Sequence, residues 1–260
     1  MTTFDENSLT VNAKDPLDPN SNQAHQTLGD TLSVPTSQGD VKIMIRPRYY
    51  LDGAPRPRNI GVRLSGGADS AIMLYMLALF KRDINPHITL YPSTSLNPTK
   101  PYQVMFAKQV INKVTELTGV SIGEHLWAEC DGSSVERYRE SQGEFINEIV
   151  PTYKLEVMFN AETMNPPETV PHLMTDGRDP ARDGKTNRNG AVTFARNAYP
   201  FRNFNKAAVK EVYDYYGLTD VLFPLTRSCE KLTTNPADFA VHCGECWFCQ
   251  EREWGFSRLV

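Results

Sequence analysis

"NIGVRLSGGADSAIMLYMLALF", Asn59 to Phe80, is the stretch on which the reading of this chain turns. A short apolar-leaning run ends in Ser65-Gly66-Gly67-Ala68-Asp69-Ser70, and a long apolar run follows at once. The pattern predicts a strand over Ile60 to Leu64 and a helix from about Asp69 to Phe80. Two glycines at the seam let the backbone turn tightly and let a ligand reach N–H groups with no Cβ in the way. A helix start presents unpaired N–H groups and a partial positive charge. Ser65 and Ser70 add hydroxyl donors, which completes the logic of an anion cradle. Asp69 would repel a naked anion, so its place suggests a magnesium ion shared by the carboxylate and the phosphates. The plainer alternative is a strand–turn–helix connection with Ser or Asp as a cap. A bare pair of glycines favours that alternative; the whole six-residue string in this context does not.

Outward from the seam, the pattern alternates strands with helices. "HITLYPS" (His87 to Ser93), "EHLWAE" (Glu124 to Glu129) and "KLEVMFN" (Lys154 to Asn160) are further strand candidates. Tyr102, Phe106, Val110, Val114 and Leu117 recur at helical spacing, and a third helix is expected near Gly143 to Val150. A last helix runs from Lys206 to Tyr216, with Asn205 as N-cap, Gly217 at its end, and Val209, Val212, Tyr213 and Tyr216 as its buried stripe. The fold class expected is α/β, a mainly parallel sheet with helices on both faces. Ligands of such sheets bind outside the carboxyl ends of the strands, where the glycine seam would lie.

Three units are expected. Residues 1–40 are poor in large apolar side chains and read as a flexible tail or arm. "VKIMIRPRYYL" (Val41 to Leu51) reads as an edge strand opening an α/β domain over 41–222 that carries the anion cradle, and 223–260 as a C-terminal metal-binding segment packed on it. Pro166 to Gly190 is polar and turn-rich, a surface loop or lid carrying Arg178, Arg182, Lys185 and Arg188. Gly184-Lys185-Thr186 imitates the tail of a Walker A loop, but the glycine that loop needs would fall at Asp179, and no apolar strand precedes it.

With 260 residues, 40% hydrophobic and 22% charged, the chain can bury one sizeable core. A net charge of -4 argues against a surface built to coat nucleic acid. The N-terminus has neither the basic start nor the apolar segment of a signal peptide, and the apolar run after the seam is too short to span a bilayer, so a cytoplasmic location is expected.

Of five cysteines, Cys243, Cys246 and Cys249 crowd into seven residues, Cys229 precedes them, and Cys130 stands apart. In a reducing compartment such a cluster reads as a metal site rather than as disulfides. Four thiolates in tetrahedral array make a closed structural zinc site. An iron–sulfur cluster uses the same side chains and is the rival. His242 is a neighbour of the cluster more readily than a ligand.

The seam "GVRLSGGADS" resembles the S-G-G-x-D-S loop of the N-type ATP pyrophosphatases, the PP-loop superfamily. Joined to Ser228, Cys229, Cys243, Cys246, Cys249, Arg252 and Phe256 at the other end, the chain resembles the 7-cyano-7-deazaguanine synthase family within it. The resemblance covers roughly Asn59 to Phe80 and Asn203 to Phe256. It implies ATP held by Ser65, Gly66, Gly67, Ala68, Asp69 and Ser70 with magnesium, and cleaved between its α- and β-phosphates. Ser65, Asp69 and Lys206 would carry catalysis, and the four cysteines would hold zinc. It also implies an adenylated carboxylate such as 7-carboxy-7-deazaguanine, ammonia as the nucleophile, and an amide or nitrile as product, a C–N ligase step of the queuosine type. Many relatives pair up as homodimers, though no interface is legible here.

The chain departs from that family in the spacing of Cys229 from Cys243, which is longer than usual. The mid-chain substrate signatures are also replaced, by "YPSTSLNPTKPY" and "FNAETMNPPETV". The resemblance thus carries the activation chemistry further than the acceptor. A PP-loop sulfurtransferase acting on tRNA is a second reading, and a non-catalytic nucleotide-binding module a third. Lys210 and Arg227 are further candidate phosphate cations, and Asn160, Glu162 and Asn165 candidate polar contacts at a strand end. Trp247 and Phe248 are expected to pack the cysteine segment against the main domain.

Overall fold

The computed structural model describes residues 10–14, 22–27, 31–45, 58–175, 177–184 and 197–260. Five parallel strands form the central sheet: β5 (Asn59–Arg63), β6 (Thr89–Leu96), β7 (Leu126–Glu129), β8 (Val157–Phe159) and β9 (Asn197–Ala198). Their order is β7-β6-β5-β8-β9, and every neighbouring pair is parallel. The helices are α1 (Ala68–Asp83), α2 (Tyr102–Thr118), α3 (Val135–Thr152), α4 (Lys206–Tyr215) and α5 (Trp247–Phe256).

Alternation along the strands sorts the helices between two faces. Ile60, Val62, Val157 and Phe159 share one core with the buried side chains of α1, α2 and α4. Met158, one residue out of phase, joins Leu126 and the α3 side chains Phe145 and Ile149 in a second core. The protein is therefore α/β with helices on both faces of a parallel sheet. The chain steps from β5 to β6 to β7 in one direction and then crosses back to β8, so the reversal lies between β5 and β8. That reversal opens a crevice beyond the strand ends.

Helix α1 is buried on every side from Ala71 to Phe80, which a helix lying on one sheet would not be. The cover is a hairpin of β3 (Thr31–Val34) and β4 (Val41–Met44), antiparallel in register Leu32↔Ile43 and Val34↔Val41. Leu32, Val34, Val41 and Ile43 enter the main core. The tail expected up to residue 40 thus contains, at its far end, a strand that closes the core. Preceding it, β1 (Thr10–Lys14) and β2 (Asn22–Thr27) extend the same antiparallel sheet. Of the expected edge strand over 41–51, the first four residues are β4, and 46–51 lie outside the described residues.

The hairpin turn also reaches the start of α4. Gln38 Nε2 donates to Asn205 Oδ1 at 2.7 Å, and Asn205 N donates back to Gln38 Oε1 at 3.1 Å. Asn205 Oδ1 also accepts from Ala207 N, the expected N-cap of α4. The hairpin therefore braces the helix start that carries Lys206. No helix among the described residues is long and apolar enough to cross a membrane.

Candidate active site

The glycine turn leaves the end of β5 and enters α1 beside the crevice. Gly66 sits at φ +79°, and a Cβ there would come within 2.7 Å of Phe106 Cβ, so the position requires glycine on two counts. Ser65 Oγ receives Gly67 N at 3.3 Å and lies 3.2 Å from Ser70 Oγ, which itself donates to Gly67 O at 3.1 Å. The two hydroxyls hold the turn in shape and stand at its open side. Tyr213 of α4 donates to Ala68 O at 2.8 Å, and Arg227 N donates to Gly66 O at 2.8 Å. The turn is thus fastened both to α4 and to the segment leading into the cysteines.

Asp69 points from the first turn of α1 into the same space. Its Oδ2 receives Lys206 Nζ at 2.5 Å, while its Oδ1 is buried without a partner. A carboxylate oxygen left without a partner where two clefts meet suits a divalent cation shared with phosphate oxygens. Lys206 is 3% exposed. Its stem passes over α5 at Gly255, where a Cβ would meet Lys206 Cγ at 2.5 Å. Glu251, one helical turn earlier on α5, is 1% exposed and accepts from Arg182 Nη2 at 2.5 Å, with Lys206 Nζ 3.7 Å from its other oxygen.

Two clefts meet at the turn and share Ser65, Gly67, Asp69, Gln103, Ala161 and Glu162. The first, about 380 Å³, runs along the ends of β5 and β6 past Ser93, Ser95, Tyr138 and Asn160. The second, about 290 Å³, runs toward the cysteines past Lys206, Arg182, Tyr102, Arg227, Phe248 and Cys229.

The four clustered cysteines come together, with all four sulfurs within 4.8 Å of one another. A tetrahedral ion with bonds of about 2.3 Å to sulfur sets its ligands roughly 3.8 Å apart. Cys243 and Cys249, at 3.9 Å, match that spacing. A four-iron core would force the thiolates further apart, because the core itself lies between them. Hydrogen bonding from Cys249 pulls the Cys246 thiol down, and the same contact pushes Cys249 up. So crowded a set of sulfurs calls for a cation among them. His242 Nδ1 lies 3.8 Å from Cys249 Sγ, beside a set already complete. Arg252 is wholly buried behind the cluster, bonded to Thr226 Oγ1 at 2.8 Å, Ser228 Oγ at 3.3 Å and Leu259 O at 2.6 Å. Burial draws its guanidinium down to about 10.

The remaining expected residues divide. Asn160 lines the first cleft, bonded to Asn197 Oδ1 at 3.1 Å. Glu162 lines both clefts and pairs with Arg202. Arg227 lies along the second cleft but spends one nitrogen on the carbonyls of Asp238, Phe239 and Val241, and its guanidinium covers the Tyr102 ring. Lys210 is turned away, paired with Asp214. Asn165 and Arg178 serve the loop itself through Asp179 O and Asp183. Lys185 and Arg188 lie outside the described residues. The described part of the 166–190 loop is docked: Trp247 packs against Gly177, donates to Leu173 O at 3.4 Å, and faces the Arg182 guanidinium at 5.0 Å. Phe248 does not pack inward as Trp247 does; it stands 37% exposed at the mouth of the second cleft. Cys130 is a core thiol on the α3 face.

Glu251 escaped the sequence reading because α5 carries no apolar stripe. Trp247, Glu251 and Gly255, spaced four apart, form a single helical face that meets Arg182 and Lys206. A small residue four positions after an acid was the available signal.

As a sequence, the chain matches no protein-family model and no curated protein. Among solved structures it is similar to the U34-tRNA thiolase NcsA from Methanococcus maripaludis with its [4Fe-4S] cluster, at 14% identity over 79% of this chain and 75% of that one, with a TM-score of 0.44. It is also similar to NAD+ synthetase from Burkholderia pseudomallei, at 12% identity over 78% of this chain and 75% of that one, with a TM-score of 0.39.

Proposed function

We propose that this chain is an ATP-dependent adenylating enzyme of the PP-loop class, activating a substrate oxygen with release of pyrophosphate. The observation that carries the reading is the orphaned Asp69 Oδ1 at the head of α1, beside a glycine turn and the buried Lys206 ammonium. Adenosine lies in the first cleft, the pyrophosphate in the Ser65–Ser70 turn, and the acceptor in the second cleft. A magnesium ion held by Asp69 would offset phosphate charge when bound. Lys206 adds a second positive charge, and the turn directs its N–H groups at the departing pyrophosphate.

The acceptor is a small carboxylate of the 7-carboxy-7-deazaguanine kind. A carboxylate oxygen attacks the α-phosphorus, the bond to the β-phosphate oxygen breaks, and pyrophosphate leaves. Ammonia then displaces AMP to give the amide, and a second activation carries the amide to the nitrile. The four cysteines would hold zinc, which fastens α5 and its Glu251 against α4. The sulfur spacing supports a single ion over a cluster. Protein incubated with ATP, magnesium, ammonium and 7-carboxy-7-deazaguanine should yield AMP and amide or nitrile by mass spectrometry. ADP as the nucleotide product would overturn the reading.

A second reading, sulfur transfer to tRNA, is favoured by one observation: Cys229 lines the cleft that opens on the phosphate turn. Metal analysis of protein purified without oxygen separates the two. Zinc at one per chain supports the ligase, and iron with visible absorbance supports the thiolase.

A further inference from the structure

From the phosphate turn to the docked loop, four charges alternate in sign: Asp69, Lys206, Glu251 and Arg182. Lys206 Nζ is 2.5 Å from Asp69 Oδ2 and 3.7 Å from Glu251 Oε2. One buried ammonium is therefore shared unequally between two carboxylates. Arg182, on the far side of Glu251 at 2.5 Å, also binds Thr163 through its carbonyl and hydroxyl at 2.8 Å and 2.9 Å. Neither the adenylation chemistry nor the metal site uses Glu251.

We propose that Glu251 is a positioning residue that competes with Asp69 for the Lys206 ammonium, and so sets how readily Asp69 is freed to take a divalent cation as nucleotide binds. The proposal rests on the reading of the turn as an ATP–magnesium site. An ammonium in contact with a carboxylate neutralises its charge, and has to draw off before that full charge is available to a divalent ion on the other oxygen. Glu251 offers it a second negative partner at 3.7 Å, and the missing Cβ of Gly255 lets the stem cross α5 closely enough to stand between the two carboxylates. Arg182 limits the pull of Glu251 by occupying its other oxygen. Because Arg182 belongs to the loop lining the second cleft, a ligand there that draws Arg182 away strengthens the hold of Glu251 on Lys206. Acceptor binding and cation binding are coupled in this way through one buried carboxylate.

The test is a magnesium titration of the full chain, with its cysteine metal, at fixed concentration of the non-cleavable α,β-methylene analogue of ATP. Glu251→Gln should raise the magnesium concentration at half-maximal analogue binding by about fivefold or more, the scale of ordinary site coupling. Arg182→Gln should lower it, and Glu251→Asp should restore part of the wild-type value. Removing one member of a buried pair can itself unfold a chain, so the opposite shift in Arg182→Gln keeps the test decisive if Glu251→Gln does not fold. An unchanged midpoint in Glu251→Gln overturns the proposal, as does a shift of the same sign in both variants. A wild-type chain that binds no analogue at any magnesium concentration overturns the reading of the turn along with it.

Discussion

Lys206 Nζ sits 2.5 Å from Asp69 Oδ2, joining the first residue of α4 to the first turn of α1 across 137 positions of sequence. The contact is held by structure on both sides. Asn205 is pinned by Gln38, and Tyr213 of the same helix donates to the α1 start at Ala68 O. Asp69→Asn keeps the shape and loses the charge. Combined with Ser65→Ala, it should cut pyrophosphate release by about a hundredfold or more, the scale of losing a charge-stabilising group. Quenched-flow measurement of pyrophosphate checks this, and wild-type turnover in the double variant would refute the assignment of the turn.

Gly255 is where Lys206 crosses α5, and an added Cβ would stand 2.5 Å from Lys206 Cγ. Elsewhere in a helix, Gly→Ala gains roughly 1 kcal/mol. Here Gly255→Ala should lower both stability and turnover, because the alanine pushes the Lys206 stem out of its place between Asp69 and Glu251. Thermal unfolding combined with a turnover assay reads both, and a stabilised, fully active variant would contradict the packing.

Ile43 is fully buried in the strand that covers α1. Ile43→Ala should cost about 2–5 kcal/mol in urea unfolding, as for other large-to-small core changes. A cost near zero would mean that the hairpin is not part of the core.

His125 is held neutral, its ring drawn down to about 4 by burial first and by Lys108 second, while Nε2 meets Thr94 Oγ1 at 2.8 Å. The folded value lies below the ordinary 6.5, so the unfolded chain binds the extra proton first as pH falls. Stability from this group is complete above about 6.5 and is lost progressively toward 4. His125→Gln should flatten that part of a stability–pH curve, and an unaltered slope would reject the assignment.

Chelation or Cys246→Ser should release the metal and loosen α5, which carries Glu251 and the glycine under Lys206. Nucleotide binding is then expected to weaken through the loosened contact of α5 with Lys206. Calorimetric titration with the α,β-methylene analogue before and after chelation measures it, and equal affinities would show that the two sites are uncoupled.

The turn, its flanking strand and helix, and the clustering of the four cysteines were legible because each is local: a few residues whose types and spacing already specify the geometry. The cap at Asn205 and the stripe of α4 were legible for the same reason. Helix α3 begins at Val135, well before the expected start, because its exposed first half shows no apolar period and buries little beyond Phe145 and Ile149. Of the β3–β4 cover, strand β4 was legible as the start of the expected edge strand, but β3 was hidden at the end of a polar-looking segment, a four-residue strand buried at three successive positions and so without alternation. Even so, the unbroken apolar run of α1 required such a cover. Glu251 and the two-cleft arrangement depend on contacts between α5, α4 and the 163–184 segment, which no periodicity along the chain encodes.

The most direct measurement is a crystal structure of the chain with magnesium and the α,β-methylene analogue of ATP. The triphosphate should lie in the Ser65–Ser70 turn, with the metal on Asp69 Oδ1, Lys206 drawn off Asp69, and the base in the cleft past Ser93 and Tyr138. A nucleotide bound elsewhere, with the turn empty and Lys206 still on Asp69, would contradict the account.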